Sequence, residues 1–163
     1  MKKRILVSAC LLGFECNYKG ACAKEYSENP SFWNKVFDFY EVIPVCPEQL
    51  GGLSTPRNPS ELTGVADNVY RFSAKIISNK GVDVTHNFVK GAEEVLRLAK
   101  LLHVEFAVLK SRSPSCGKDS VYDGTFSGRL IPGAGLTCFL LMKNGYKVLT
   151  ELDFINITNY CEE

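Results

Sequence analysis

The sequence predicts an α/β fold: one mainly parallel central sheet flanked by helices, a Rossmann-like three-layer sandwich. Three observations support this. Short apolar or β-branched runs at 4–9, 41–46 and Glu105–Lys110 each stop near Gly, Pro or Ser, as buried strands do. Segments between them carry apolar residues at helical spacing. Strands that alternate with helices point to a parallel sheet covered on both faces. At 163 residues the chain has the length of one domain with a substantial core. No linker, internal repeat or low-complexity tract divides it, so 1–163 is read as a single domain.

Taken in order, residues 4–9 are the first strand and Gly13 the break after it. Residues 14–28 are polar and irregular, a loop carrying Tyr18-Lys19-Gly20. Phe32, Trp33, Val36, Phe37 and Tyr40 fall at helical spacing, so a short amphipathic helix starts near Pro30-Ser31. Residues 41–46 make the second strand, which ends at Cys46-Pro47. Gly51 to Gly64 is dense in Gly, Pro, Ser and Thr and is expected to be a long ordered loop, a feature often tied to function. Alternating Tyr70, Phe72, Ala74 and Ile76 predict a strand over Val69–Ser78 at the sheet's margin, ended by Gly81. The clearest helix is His86–Leu102. Phe88, Ala92, Val95, Leu96, Ala99 and Leu102 line one face and Glu93, Glu94, Arg97 and Lys100 the other, with Asp83 or Thr85 to cap its start. Glu105–Lys110 is the third strand, Ser111–Gly117 the loop beyond it, and 118–133 an irregular segment. Gly135–Lys143 is an apolar helix stopped by Gly145, and Tyr146–Leu152 the last strand.

Composition narrows the function. Nineteen Lys and Arg against eighteen Asp and Glu leave a net charge of +1. That offers no basic footprint for a nucleic-acid polymer, so a small substrate is expected. Met1-Lys2-Lys3-Arg4 ahead of an apolar run superficially looks like a signal peptide, but Gly13, Glu15, Asn17 and Lys19 interrupt it. No run reaches the roughly 20 residues a membrane helix needs. A cytoplasmic protein is expected. In that reducing compartment the seven cysteines are ligands, reactive thiols or core residues before they are disulfide partners. There is no C-x-x-C pair to mark a zinc ribbon or a thioredoxin-like motif.

Three cysteines share one placement. Cys10 follows the run ending Ser8-Ala9, Cys46 follows Val42-Ile43-Pro44-Val45, and Cys116 closes Ser113-Pro114-Ser115 after Phe106-Ala107-Val108-Leu109. Open α/β sheets bind ligands beyond the carboxyl ends of their strands, at a switch in strand order, so these distant thiols are expected to converge. Three thiolates can hold a metal centre and leave one coordination position open. A cytosolic cysteine taken alone is more often a small buried hydrophobe; the shared placement sets these three apart. Cys138 is expected in the core and Cys161 in the C-terminal tail. Cys16 and Cys22, with Cys10, form an alternative ligand set. His86 and His103 show no ligand or catalytic spacing.

These motifs resemble a known family. Ser8-Ala9-Cys10-Leu11-Leu12-Gly13, Cys46-Pro47-Glu48 with Gly51-Gly52-Leu53-Ser54-Thr55-Pro56-Arg57, and Ser113-Pro114-Ser115-Cys116-Gly117 look like the thiouracil desulfidase (TudS-like) family. Asp83-Val84-Thr85, Tyr122-Asp123-Gly124-Thr125-Phe126 and Gly133-Ala134-Gly135 fit its pattern in the right order. The family usually has Pro where this chain has Ser54. The resemblance implies a [4Fe-4S] cluster held by Cys10, Cys46 and Cys116, with one iron not ligated by protein and free for the sulfur of a thiolated nucleobase or nucleoside. It also implies Glu48 as the acid/base group and Ser113 as the active-site serine, with Ser111 a weaker candidate for that role.

The implied chemistry is coherent. A thiocarbonyl sulfur is soft and prefers a thiophilic iron, which then acts as a Lewis acid. Water, relieved of a proton by Glu48, attacks the C=S carbon, and sulfide leaves without net electron transfer. Arg57, Lys110 and Arg112 can offset cluster charge or orient a base, and Tyr18 can stack on a flat ring. Arg57 taken alone is more often a surface salt-bridge donor. Three other readings stay open at this point: a cluster-dependent lyase, an iron–sulfur or sulfide carrier without turnover, and a zinc site. Cluster-assembly machinery is the expected protein partner.

Overall fold

The computed structural model describes residues 1–160; Cys161 lies outside the described residues. The elements in chain order are β1 (Lys3–Ser8), a 3-10 turn (Ala9–Leu12), α1 (Lys24–Ser27), α2 (Pro30–Phe39), β2 (Tyr40–Val45), α3 (Pro47–Leu50), β3 (Ser60–Leu62) and α4 (Ala66–Tyr70). They continue with β4 (Ile76–Ser78), α5 (Thr85–Leu101), β5 (Phe106–Leu109), β6 (Ser120–Tyr122), β7 (Leu130–Pro132), α6 (Leu136–Lys143), β8 (Lys147–Thr150) and α7 (Glu151–Tyr160). Strands β2, β1, β5 and β8, in that spatial order, form a sheet whose neighbours are all parallel. Ile5 stands between Val42 and Phe106, and Ala107 pairs with Val148.

Successive side chains of a strand point to opposite faces. Ile5, Val7, Val108 and Leu149 therefore enter one layer, against Trp33 and Val36 of α2 and Phe154 of α7. Leu6, Ala107, Leu109 and Val148 enter the other, against Val95 and Ala99 of α5 and Cys138 and Leu141 of α6. Ile5, Leu6 and Val7 are each 0% exposed, and burying such a side chain contributes about 1.5–3 kcal/mol. A strand covered on both faces reads as an unbroken apolar run, which is why β1 and β5 are legible; β2 lies at the sheet's edge and is only partly buried. The expected three-layer α/β sandwich forms.

Several segments differ from expectation, α1 and β3 among them, which form within stretches read as loops. Val69–Ser78 is not one marginal strand. Ala66–Tyr70 turns as α4, Phe72 takes a left-handed φ of 60°, and only Ile76–Ser78 is extended. β4 pairs antiparallel with β3 in a separate two-stranded sheet, where Val69 and Ile76 join Leu62, Ala66 and Phe88 in a second core. The alternation of Tyr70, Phe72 and Ala74 imitated a strand, while burial picked out Val69 and Ile76 instead. Residues 118–133 hold the antiparallel hairpin β6–β7.

The last strand stops at Thr150. Thr150 Oγ1 accepts the Asp153 N–H (3.0 Å) and Asp153 Oδ2 accepts the Thr150 N–H (3.0 Å), a reciprocal cap that starts α7. At α5, Asp83 Oδ1 accepts both the N–H (3.0 Å) and the hydroxyl (2.6 Å) of Thr85. No helix among the described residues is long and apolar enough to cross a membrane.

Candidate active site

At the carboxyl side of the sheet β1, β2 and β5 end in Ser8, Val45 and Leu109, and each is followed by a turn bearing a cysteine. The chain passes from β1 to β2 on one side and then returns beyond β1 to β5. The switch in strand order therefore falls between β1 and β5, where such sheets bind ligands. The Lys110 N–H donates to Ser8 Oγ (2.9 Å) and ties these two strand ends together. A cavity of about 660 Å³ opens here, and Cys10, Cys46, Cys116, Cys16, Glu48 and Ser113 are in its wall.

Local chemistry places each thiol. Cys10 lies in the 3-10 turn, which Gly13 ends with φ 99°. Cys46 is the extended residue before α3, with Pro47 at the first helical position, where proline's fixed φ is already helical. The Cys46 thiol donates to the Cys16 carbonyl (3.6 Å). The Ser113 hydroxyl oxygen accepts the N–H groups of Ser115 and Cys116, both at 3.1 Å, and so shapes the turn holding Cys116. Carbonyls of Pro114 and Ser115 accept from Leu136 N and Thr137 N (2.9 Å each), which satisfies free amides at the start of α6. A Cβ on Gly135 would stand 2.6 Å from the Ser115 oxygen, so only glycine lets loop and helix meet so closely.

Three of the cavity thiols, Cys16, Cys46 and Cys116, are costly to ionise. A hydrogen bond with Cys10, then burial, pushes the Cys16 thiol up to about 11. A hydrogen bond with Cys16, then burial, pushes Cys46 up as well. Burial raises Cys116 against the opposing Ser8 hydroxyl. Such thiols become thiolates when a cation offsets the charge. Beside them Arg57 Nε donates to Glu48 Oε2, with the two side chains 8% and 13% exposed. Lys110 Nζ pairs with Glu151 Oε1 (3.0 Å), and the Ser111 hydroxyl donates to the same oxygen (2.7 Å). Burial pushes the Glu151 carboxyl up, but hydrogen bonds from Ser111 and Lys110 outweigh it and hold it below the usual range.

The family model described as 2-thiouracil desulfurase matches residues 5–153, a span that includes every cavity thiol. The chain belongs to the 2-thiouracil desulfurase family. A Bacillus subtilis (strain 168) protein named "Uncharacterized protein YbbK" is 42% identical over 154 residues, 94% of this chain and 99% of its own. The solved structure of the [4Fe-4S]-dependent thiouracil desulfidase TudS matches with a TM-score of 0.82 at 35% identity, over 99% of each chain.

In this desulfurase-family chain, all five residues singled out from sequence, Cys10, Cys46, Cys116, Glu48 and Ser113, line the same cavity. Ser111 is committed to Glu151. Both lone pairs of the Ser113 hydroxyl are engaged, which leaves only its hydrogen to offer. Arg57, which taken alone reads as a surface salt-bridge donor, does form an ion pair, but with its side chain buried against Glu48. Tyr18 lines the cavity and is 41% exposed. Cys138 is fully buried in the core. Cys22 lies against Ser27 Oγ (3.6 Å) and is not among the residues that line the cavity. Two residues at the site have no role assigned from sequence: Ser8, which reads only as the start of the Cys10 motif, and Glu61, which falls in a stretch without a motif.

Proposed function

We propose that this protein is a non-redox desulfidase that acts on thiouracil or a related thiolated base or nucleoside, replacing sulfur by the oxygen of water. The observation carrying this reading is the meeting of Cys10, Cys46 and Cys116 with Glu48 and Ser113 in one cavity. It is supported by 35% identity to a [4Fe-4S]-dependent thiouracil desulfidase across 99% of both chains. The donors fit an iron–sulfur cofactor, since all three are soft thiols. Among the described residues no three His, Cys, Asp or Glu side chains close on a single metal ion.

In this reading Cys10, Cys46 and Cys116 hold a [4Fe-4S] cluster and leave one iron without a protein ligand. When bound, the cluster supplies a thiophilic Lewis acid for the thiocarbonyl sulfur. Glu48 takes the proton of the attacking water through Oε1, because Arg57 holds Oε2. Ser113 offers its hydroxyl hydrogen to a nitrogen or oxygen of the base. The atoms balance, as a thiocarbonyl and one water give a carbonyl and one hydrogen sulfide, and no oxidant or reductant takes part. The near-neutral chain suits a small substrate in the cytoplasm rather than a nucleic-acid polymer, with cluster-assembly machinery as its protein partner.

The test is to reconstitute the protein without oxygen and incubate it with 2-thiouracil and 4-thiouracil. Sulfide and uracil are expected in equal amounts. A fully loaded cluster with no turnover on any thiolated base overturns the reading, and cluster transfer to an acceptor protein in that same sample would favour a carrier.

A further inference from the structure

The connection between β6 and β7 is built more heavily than a hairpin needs. Two residues suffice to turn an antiparallel pair, whereas residues 123–129 intervene here. Gly124, Phe126 and Gly128 all have left-handed backbones, with φ of 88°, 56° and 80°. Glycine adopts that region freely; a bulky aromatic residue there needs a cause.

Glu61 of β3 supplies it. This carboxylate is 8% exposed, and its Oε2 accepts the N–H groups of Gly124 (2.9 Å) and Phe126 (3.0 Å). Asp123 Oδ1 braces the same turn by accepting from Thr125 N (3.0 Å) and Thr125 Oγ1 (2.6 Å). Gly124 packs so closely that a Cβ would stand 2.6 Å from the Leu62 oxygen. The result is a phenylalanine ring in the wall of the thiol-lined cavity, 40% exposed and in none of the three hydrophobic cores.

We propose that Phe126 contacts substrate by stacking on the flat face of the base, and that Glu61 is the positioning residue that holds it there. This rests on the desulfidase reading above. A pyrimidine thione is planar, and an aromatic wall recognises its face while leaving its edge, sulfur included, to other groups. The substrate class follows: flat heterocyclic thiocarbonyls are favoured over small non-aromatic thioamides such as thioacetamide.

The test compares wild type, Phe126→Ala, Phe126→Trp, Glu61→Gln and the Phe126→Ala/Glu61→Gln double variant, each reconstituted to equal iron content. Sulfide release is measured against thiouracil concentration, and uracil binding is measured by equilibrium dialysis. Loss of such a stack weakens base binding about 10- to 100-fold, so Phe126→Ala is expected to raise KM by that order and to raise it more than it lowers kcat. Uracil binding weakens in parallel, the advantage of thiouracil over thioacetamide shrinks, and Phe126→Trp restores both. Glu61→Gln shifts KM in the same direction, and the double variant is no worse than Phe126→Ala alone.

Wild-type KM and uracil affinity in Phe126→Ala would overturn the proposal and leave the desulfidase reading standing. Additive losses in the double variant would overturn the role of Glu61. A fully loaded wild type that releases no sulfide overturns both readings together. Should Phe126→Ala fail to fold, Phe126→Leu keeps the apolar bulk without the ring, and a raised KM is expected there too.

Discussion

Arg57 clamps Glu48 at the wall of the thiol-lined cavity. Its Nε holds Glu48 Oε2, its Nη1 donates to the Ser54 carbonyl (3.2 Å) and Thr55 Oγ1 (3.1 Å), and its Nη2 donates to the Cys16 carbonyl (3.0 Å). That same carbonyl accepts from the Cys46 thiol (3.6 Å). One guanidinium thus ties the proposed base to the carbonyl that also holds a proposed ligand's thiol, and its planar fork is suited to several acceptors at once.

Glu48→Gln keeps the side-chain volume and removes the proton acceptor. Sulfide release is expected to fall about 10²- to 10⁴-fold, the usual worth of general-base catalysis, while visible absorption by the cluster persists. Undiminished turnover would assign the proton to another group.

Arg57→Ala strands a nearly buried carboxylate. Removing one partner of a buried pair costs about 3–5 kcal/mol, so a clear drop in melting temperature is expected. The Glu48→Gln/Arg57→Ala double variant should recover part of it, because no charge is then left unpaired. Equal melting of Arg57→Ala and wild type would show that the pair contributes nothing to the fold.

Cys10→Ser, Cys46→Ser and Cys116→Ser are each expected to lose iron and brown colour after anaerobic reconstitution, whereas Cys22→Ser keeps both. Cys16→Ser is the discriminating variant, since Cys16 shares the cavity yet lies outside the proposed ligand set. Iron and sulfide analysis should show it loaded. Loss comparable to Cys10→Ser would mean that the ligand set is drawn wrongly.

Gly91→Ala reaches the site from the core. A Cβ there would stand 1.9 Å from the Pro47 carbonyl oxygen, and one on Gly51 would stand 2.0 Å from that of Asn87. α3, which begins after Cys46 and carries Glu48, therefore lies directly on α5. Overpacking of this kind costs about 1–3 kcal/mol or more, and lower thermal stability with reduced iron content is expected. Unchanged values for both would show that α3 can shift freely.

Asp83 sets part of the acid limb of stability. Its side-chain and backbone hydrogen bonds with Thr85, with help from Lys75, lower its carboxyl from 3.8 to about 2. The folded value lies below the unfolded one, so this contribution is complete above pH 3.8 and fades as pH falls towards 2. The group is exposed, and the effect is small. Asp83→Asn should lower stability at neutral pH and flatten its decline between about pH 4 and 2, as read by urea midpoints. A parallel decline in both proteins would remove Asp83 from that limb.

The strand ends that carry Cys10, Cys46 and Cys116 were legible because each signal is contiguous: an apolar run, then Gly, Pro or Ser. The α5 face was legible for the same reason, its apolar residues recurring at one period over seventeen positions. Val69–Ser78 misled because period-two alternation records residue type, and burial there follows contacts with Phe88 and Leu136 instead. Thr150 and Asp153 did carry the reciprocal capping pattern, masked by the apolar residues on either side.

Local periodicity and turn chemistry are thus enough to set the sheet, its direction and the side on which three thiols emerge. Which loops then touch is a matter of packing. Arg57 meets Glu48 across nine residues and Glu61 meets Phe126 across sixty-five. Those pairings depend on how the antiparallel β3–β4 pair and the 51–64 segment settle against the sheet's carboxyl edge. Only the folded chain brings those carboxylates to their partners, because the core that seats them joins Leu62 to Ile76, Phe88 and Leu136, residues distant from one another in sequence.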